Sequence, residues 1–290
     1  MLKKVFKWIG VLIAGLLIII IAFYATAYFN TESRMNKIYE VSLQELTIPT
    51  DSASHAMGKH VAEIRGCVGC HLATLEGHAF ADEKSPLGIL YTSNLTSGKG
   101  GINYTSDQDW IRAIRHGLNR ENKTVWFMPS HEVSHISNQE LAALICFLKA
   151  QPPVDKEHPK HELKPLGRIL TFLDELPMFP AEVIDHNATY PEAVALTSDA
   201  KSGEYLATTC KGCHANNFQG APAHSPEEPP IPNISSSGNL GKWTEAGFVE
   251  LFHTGKTPDG KVLSKYMPVK DFTYTDDELK AIYAYLHSLP

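Results

Sequence analysis

The sequence predicts an all-α protein in which one N-terminal transmembrane helix precedes two tandem helical domains. Three observations lead to this fold class. Residues 8–31 contain no charged side chain. The pattern Cys-x-x-Cys-His occurs twice, at 67–71 and at 210–214. Each copy is followed by the same order of helix signals and ends in an amphipathic helix. The predicted parts are an anchor at 1–35, a domain at 36–152, a proline-rich strap at 153–197 and a domain at 198–290.

The uncharged run at 8–31 is long enough to cross a membrane. As a helix its 24 residues would rise about 36 Å, against a hydrocarbon core of about 30 Å. Lys3, Lys4 and Lys7 precede it, which places the N-terminus in the cytoplasm and the remainder on the periplasmic side of a bacterial cytoplasmic membrane. Ala25-Thr26-Ala27 also fits the cleavage site of a signal peptide. The length of the run favours a retained anchor, with the lipid bilayer as its partner through residues 8–31.

The repeated pentapeptide is the attachment pattern of c-type haem. Two thiols three residues apart can each bond one vinyl group of a porphyrin, and the following histidine then lies beneath the iron. A zinc knuckle or a redox dithiol would contain part of this pattern, but two similar copies favour haem. The sequence therefore predicts two covalently bound haem c groups, attached through Cys67, Cys70, Cys210 and Cys213, with His71 and His214 as iron ligands.

Helix signals recur in step around both pentapeptides. A helix at 54–64 precedes the first copy, and a helix at 198–208 precedes the second. Middle helices at 105–116 and 244–254 each have a hydroxyl residue at the start and a glycine, Gly117 or Gly255, at the stop. Each domain closes with a capping box and an amphipathic helix: Ser137 with Glu140 before 141–149, and Thr275 with Glu278 before 279–288.

The segment between the two domains is rich in proline. Residues 151–197 contain seven prolines, a density that excludes long regular structure apart from a short helix near 166–176. Its apolar side chains require burial, so we interpret it as a strap that wraps one or both domains. These side chains are Leu166, Ile169, Leu170, Phe172, Leu173 and Phe179.

A second axial ligand is predicted for each iron. Met128 in Phe-Met-Pro and Met267 in Tyr-Met-Pro follow their histidines by 57 and 53 residues, and each precedes the last helix of its domain. A thioether favours ferrous iron and raises the potential. Met178 also lies beside proline but has no counterpart, and we interpret it as a packing residue. His131 is a rival to Met128.

Other signals compete weakly with this interpretation. His131-Glu-Val-Ser-His135 matches the H-E-x-x-H pattern of zinc proteases, but the space between Pro129 and Ser137 is too short for the sustained helix that such a site needs. Cys146 lies in an apolar run and is expected to be a buried hydrophobe. The net charge of −6 predicts no nucleic-acid partner, and without a phosphate-binding loop in the sequence no nucleotide binding is indicated. No catalytic residue is predicted.

The order of pentapeptide, middle helix, aromatic-Met-Pro and closing helix, over about 55–152 and 198–290, resembles class I cytochrome c. Two segments, Pro86-Leu-Gly-Ile-Leu-Tyr-Thr-Ser-Asn-Leu-Thr96 and Pro232-Asn-Ile234, are similar in sequence to the cytochrome c subunits of membrane-bound alcohol, gluconate and sugar dehydrogenases. That family usually carries three haem pentapeptides and takes electrons from a catalytic subunit, whereas this chain has two. The resemblance implies that carbonyls near Pro86 and Pro229 accept hydrogen bonds from the proximal imidazoles.

Together these features predict an electron carrier and not an enzyme. The expected donor is a membrane-bound dehydrogenase or a quinol-oxidising protein, and the expected acceptor is a soluble or oxidase-bound carrier. Two alternatives remain open. The chain could be the cytochrome subunit of a dehydrogenase complex, or a di-haem peroxidase with one iron open at its sixth position.

Overall fold

The N-terminal apolar run forms one long helix in the computed structural model, which describes residues 2–104, 106–223 and 228–290. Helix α1 spans Leu2–Met35. Its apolar part has a mean hydropathy of 2.7 and is not covered by the rest of the described chain. Among the described residues it is the one helix that could cross a membrane by length and composition.

A first helical unit surrounds the first pentapeptide. Its helices are α2 (Ser52–Ile64), α3 (Cys67–His71), α4 (Asp107–His116), α5 (Ser130–Val133) and α6 (Asn138–Lys149). The Asp51 side chain caps α2, and Ser137 and Glu140 form the predicted capping box of α6. Helix α4 begins after Ser106 and ends at Gly117, while Thr105, its predicted first residue, lies outside the described part of the chain. Helices α2 and α6 cross closely, with Val61, Ile111 and Leu144 in the core between the helices.

A second helical unit has the same order of elements. Its helices are α8 (Ala200–Leu206), α9 (Lys211–His214), α10 (Glu245–Thr254) and α11 (Asp276–Ser288), and a 3₁₀ turn over Ala207–Cys210 joins the first two. The predicted capping box of Thr275 and Glu278 is present, and Gly255 ends α10 in the left-handed conformation. Helices α8 and α11 pack as α2 and α6 do. Leu206, Phe218 and Ile282 lie in the core of this unit.

The protein is predominantly helical, in agreement with the prediction, but it also contains a small sheet that was not predicted. A three-stranded antiparallel sheet is formed by β1 (Ala79–Ala81), β2 (Gly88–Tyr91) and β3 (Glu162–Leu163). Buried and partly exposed residues alternate along β2, as in a strand with one covered face. The third strand comes from the strap, so its pairing depends on contacts about 70 residues apart that local sequence patterns do not encode.

The strap lies along the first unit. Asn94 donates its side-chain amide to the Val154 carbonyl at 2.8 Å, and Asn138 donates its backbone N–H to the Pro191 carbonyl at 2.9 Å. Its helix, α7, spans Pro165–Phe172 and is shorter than predicted. The reason is local, because Asp174 has a positive φ of 58° that a right-handed helix cannot continue through.

The two units contact each other reciprocally. His60 and Tyr205 follow Gly58 and Gly203 by two residues each and thus hold equivalent positions. His60 donates from Nε2 to Glu278 at 2.8 Å, while the Tyr205 hydroxyl bonds Glu140. Each unit therefore contacts the capping-box carboxylate of the other, as in contacts related by two-fold symmetry. Both pentapeptides follow directly on the helices that form this interface.

Candidate functional site

The first pentapeptide forms a short helix that directs a buried histidine inward. The chain enters α3 through Gly66 at φ +76° and leaves through Leu72 at φ 66°. His71 Nδ1–H donates to the Ser93 carbonyl at 2.7 Å, which leaves Nε2 with a free lone pair. Burial lowers the pKa of His71 to about 4. The imidazole is therefore neutral at physiological pH, as a metal ligand must be.

The second pentapeptide repeats this geometry. Ala215 follows α9 with φ 63° and ψ 167°, against 66° and 167° for Leu72. His214 Nδ1–H donates to the Pro232 carbonyl at 2.8 Å, and burial lowers the pKa of His214. Carbonyl acceptors were expected near Pro86 and Pro229.

The second acceptor lies near Pro229, as expected, whereas the first lies farther from Pro86 than expected. Ser93 lies seven residues beyond Pro86, and Pro232 lies three beyond Pro229. In the first unit the chain must pass along β2 before it returns to His71. Both acceptors immediately precede an asparagine, Asn94 or Asn233, and these two positions are equivalent in the repeat. Such a bond fixes the imidazole tautomer and strengthens its basicity.

The cysteines of both pentapeptides are uncrosslinked thiols in the structure. Cys67 and Cys210 pack at the edges of the apolar cores of their units. Burial raises the pKa of each of these thiols to about 12. The apolar surroundings of these thiols suit attachment to the apolar face of a macrocycle.

A cavity of about 440 Å³ brings the predicted residues of the first site together. Cys67, Cys70, His71 and Met128 all line this cavity. Its walls are mainly apolar and aromatic, as a porphyrin requires, and include Leu95, Trp110, Trp126, Leu144 and Leu148. Arg65 also lines it, and the Arg65 Nε atom is buried without a hydrogen-bond partner among the described residues. The residues present therefore fit a haem.

The loops of Met128 and Met267 have the same conformation in the turn that follows the methionine. The carbonyl of each methionine accepts the backbone N–H two residues on, at 2.7 Å from Ser130 and at 2.9 Å from Val269. The following prolines have ψ 53° in both loops. In the first unit Met128 lines the same cavity as His71. Met267 shares the turn that follows the methionine and stays a predicted ligand.

The H-E-x-x-H segment does not form a protease-like helix. Helix α5 ends at Val133, so His131 and His135 do not share one helical face. His135 Nε2 lies 3.0 Å from the Thr208 hydroxyl in the other unit, and His131 is absent from the described walls of the first cavity. Within the described residues no group of three or more His, Cys, Asp or Glu side chains could hold a metal ion.

Two charged residues between the pentapeptides were missed by sequence reasoning. Arg65 is 5% exposed, and its Nη1 donates to Thr208 Oγ1 at 3.0 Å and to the Tyr205 carbonyl at 3.1 Å. The Glu132 carboxylate packs on Gly212, where a Cβ atom would lie 2.7 Å from Oε1. No spacing signal marks Arg65, and Glu132 stood out only as part of the H-E-x-x-H segment, because the surroundings of both come from the interface between the units.

The Glu132 carboxyl should make stability depend on pH. Burial raises its pKa from 4.5 to about 7, so the folded protein binds a proton that the unfolded chain releases between these values. The contribution of this group to the free energy of unfolding is fully present below pH 4.5 and is lost as the pH rises through 7. The loss is at most about 3 kcal/mol. In urea unfolding, Glu132→Gln should therefore exceed wild type in stability at pH 8 and equal it at pH 4. The exposed Glu83→Gln should differ at neither pH, and equal behaviour of Glu132→Gln and wild type at pH 8 would contradict the assignment.

Comparison with known proteins defines the class of the second unit. Residues 200–290 match the family model of cytochrome c, so this part of the chain is a cytochrome c domain. The resemblance of this region to cytochrome c, first indicated by its pentapeptide, is thus confirmed. A cytochrome c domain carries covalently bound haem c.

More particular similarity extends over most of the chain. It is 26% identical over 273 residues to the alcohol dehydrogenase (quinone), cytochrome c subunit of Gluconobacter oxydans (strain 621H), covering 83% of this chain and 55% of that protein. It is 27% identical over 274 residues to proteins of the same name from Gluconacetobacter polyoxogenes and Komagataeibacter europaeus, covering 84% of this chain and 58% of each. The chain thus spans a little over half the length of these relatives. They are named as cytochrome c subunits, in agreement with the prediction of an electron carrier and not an enzyme.

Proposed function

We propose that this chain is a membrane-anchored electron carrier with two haem c groups, held by tandem cytochrome c domains at 36–152 and 198–290. The observation that carries the proposal is the matched geometry of the two pentapeptides. In both, the proximal imidazole donates to a backbone carbonyl at 2.7–2.8 Å. In both, Gly77 or Gly220 donates its backbone N–H to the carbonyl of that histidine at 3.0–3.1 Å.

The chain's own residues would hold and tune the haems. Cys67, Cys70, Cys210 and Cys213 would form the thioether bonds. His71 and His214 would ligate from one side, and Met128 and Met267 from the other. When bound, each haem supplies a single iron that alternates between ferric and ferrous states. The apolar walls around Trp110 and Leu144 would exclude water and so favour the less charged ferrous state.

The interface between the units would be the route between the two haems. Both pentapeptides lie beside it, and Arg65 links them: it lines the first cavity, and its Nη1 donates to Thr208 Oγ1 on the chain that leads into Cys210. Direct transfer between the haems requires this proximity. An electron would therefore enter at one domain and leave from the other.

The donor we propose is a membrane-bound dehydrogenase. The relatives named as cytochrome c subunits of quinone alcohol dehydrogenase support a place for this chain in such a complex, and the net negative charge of the chain suits a partner with a basic docking face. Helix α1 would anchor the chain through residues 8–31, with both domains on the periplasmic side. The acceptor would be a further soluble or oxidase-bound carrier.

Haem stoichiometry tests this proposal. The full-length protein, produced with c-type maturation and purified from membranes, should retain two haems per chain after extraction with acidified organic solvent. The pair of changes Cys67→Ser and Cys70→Ser should leave one haem, and so should Cys210→Ser with Cys213→Ser. Cys146→Ser is the matched control and should leave both. A wild-type protein with one haem would restrict the function to a single-haem carrier.

A further inference from the structure

Helix α1 is not a free tether, because its outer end docks onto α7 of the strap. The Arg168 guanidinium lies 4.2 Å from the centre of the Tyr28 ring, and it donates to Thr31 Oγ1 at 2.9 Å and to Glu32 at 2.7 Å. Ala27 and Thr31 are fully buried by this contact. The anchor and the strap therefore move as one body.

Arg34 fixes the same junction from the other helix. Its Nη1 donates to the Thr171 carbonyl, near the end of α7, at 2.8 Å. Its Nη2 pairs with Glu182 at 2.7 Å and with Asp174 at 3.0 Å. The end of α7 is thus held at a fixed position along the axis of α1. The rise of α1 to this position can be compared with the thickness of the hydrocarbon core.

The contact of Phe172 with Phe23 sets that height. The two ring centres are 5.8 Å apart in an edge-to-face arrangement. Phe23 follows Lys7, the last charged residue before the apolar run, by 16 residues, a rise of about 24 Å. Because the hydrocarbon core is about 30 Å thick, Phe23 lies inside its outer boundary. A tilted helix would place Phe23 deeper still.

We propose that the C-terminal end of α7, Phe172 with Leu173, inserts into the outer leaflet of the bilayer beside α1. Leu173 directly follows Phe172 and is 50% exposed, so the described part of the chain covers it only in part. The exposed Asp174 and Glu175 follow at once and would lie at the headgroup level. The inference rests on the proposed anchoring by α1, and the bilayer is the occupant because this apolar surface is continuous with the membrane-spanning face of α1.

Insertion would place the first haem site next to the membrane. Arg34, which holds the end of α7, lies over the Phe179 ring at 5.4 Å. Phe179 in turn meets Trp126 with ring centres 6.3 Å apart, and Trp126 lines the first cavity. The second unit contacts the first across the reciprocal interface. The first domain is therefore the membrane-proximal one, and its haem would meet a donor held in the membrane.

Labelling of introduced cysteines with a charged, membrane-impermeant maleimide tests the insertion. Leu173→Cys, Glu175→Cys and the distant Val262→Cys would be made in the full-length holoprotein, reconstituted alone in phosphatidylcholine vesicles. Val262 is 77% exposed in the second unit. The thiols introduced at positions 175 and 262 should react at similar rates. The thiol at position 173 should react about tenfold more slowly, because hydrocarbon excludes a charged reagent. All three should react fully in denaturing detergent.

The occupant and the anchoring are tested on the same vesicles. A photoreactive benzophenone residue in place of Leu173 should crosslink to lipid, whereas crosslinking into a dimer would assign this surface to a second copy and overturn the proposal. Equal labelling at positions 173 and 175 would overturn it as well. Retention in the vesicles after alkaline carbonate washing reports on α1 separately. A protein that is retained but labels equally refutes the insertion alone, and one that is washed off refutes the anchor.

Discussion

Met128→Ala should lower the potential of one haem and open its iron to an added ligand. Met128 lines the same cavity as His71, and its loop is fixed by hydrogen bonds on both sides of the methionine. Removal of the thioether takes away a soft, neutral ligand that favours ferrous iron. We expect a fall on the order of 0.1 V, within the roughly 0.8 V range that axial ligands govern. Redox titration and carbon monoxide binding to the reduced protein measure both effects.

The chain offers a matched control for this change in Met178. It is another methionine beside proline and is 1% exposed, and it packs with Leu90 and Phe179 in a cluster that adjoins Trp126 and Phe127 of the cavity wall. Met178→Ala should cost packing energy, about 2–5 kcal/mol, but should leave the iron six-coordinate and closed to carbon monoxide, because no iron ligand is removed. Met267→Ala should reproduce the Met128→Ala effect at the other haem. An unchanged spectrum in Met128→Ala would refute the ligand assignment. Binding of carbon monoxide by the unaltered protein at one iron would instead favour the peroxidase alternative.

Local sequence signals predicted most helices of the fold because the signals act over a few residues. Ser137 with Glu140, and Thr275 with Glu278, each satisfy backbone groups within a single turn, and both capping boxes are present. Gly117 and Gly255 both end their helices in the left-handed conformation, which other residues adopt at a cost. Such positions can be read from the sequence since their partners lie beside them.

Features that depend on distant partners could not be predicted in this way. Strand β3 exists because the strap returns to β2. Ser93 accepts the His71 hydrogen bond because β2 carries the chain back beneath the first cavity. Neither position has a distinctive residue type, so neither could be assigned from local pattern.

The candidate site also has residues that local sequence patterns mark and residues that only distant contacts define. The pentapeptides and the aromatic-Met-Pro segments carry their chemistry in residue type and spacing, and the structure brings His71 and Met128 to one cavity. Arg65 and Glu132 acquire their properties from the other unit instead. An arginine two residues before a haem pentapeptide is unremarkable until Tyr205 and Thr208 enclose it. Arg65 and Glu132, the charges that would influence the haem potentials, are thus the part of the site that could not be predicted from the sequence.

Gly58→Ala should strongly destabilise the first unit. Helices α2 and α6 cross so closely at this residue that an added Cβ atom would lie 1.9 Å from the Ala143 carbonyl oxygen. The obstacle is backbone of a buried helix, which can yield only if the two helices separate. In an open helix the same change would stabilise by about 0.5–1 kcal/mol. Here we expect a loss of about 3 kcal/mol, at the upper end of the cost of overpacking.

Two further glycines make this expectation specific. Gly203→Ala meets the Ala281 carbonyl oxygen at the same 1.9 Å and should destabilise the second unit to a similar extent. Gly69, in α3, has no atom of the described chain within 4 Å of an added Cβ, so Gly69→Ala should be neutral or slightly stabilising. Urea unfolding followed by far-ultraviolet circular dichroism and by haem absorbance compares the three variants. If Gly58→Ala and Gly203→Ala unfolded at the same urea concentration as Gly69→Ala, the helices would not cross as closely as the structure shows at either pentapeptide. A loss in only one variant would instead show that the two units differ in how tightly their terminal helices pack.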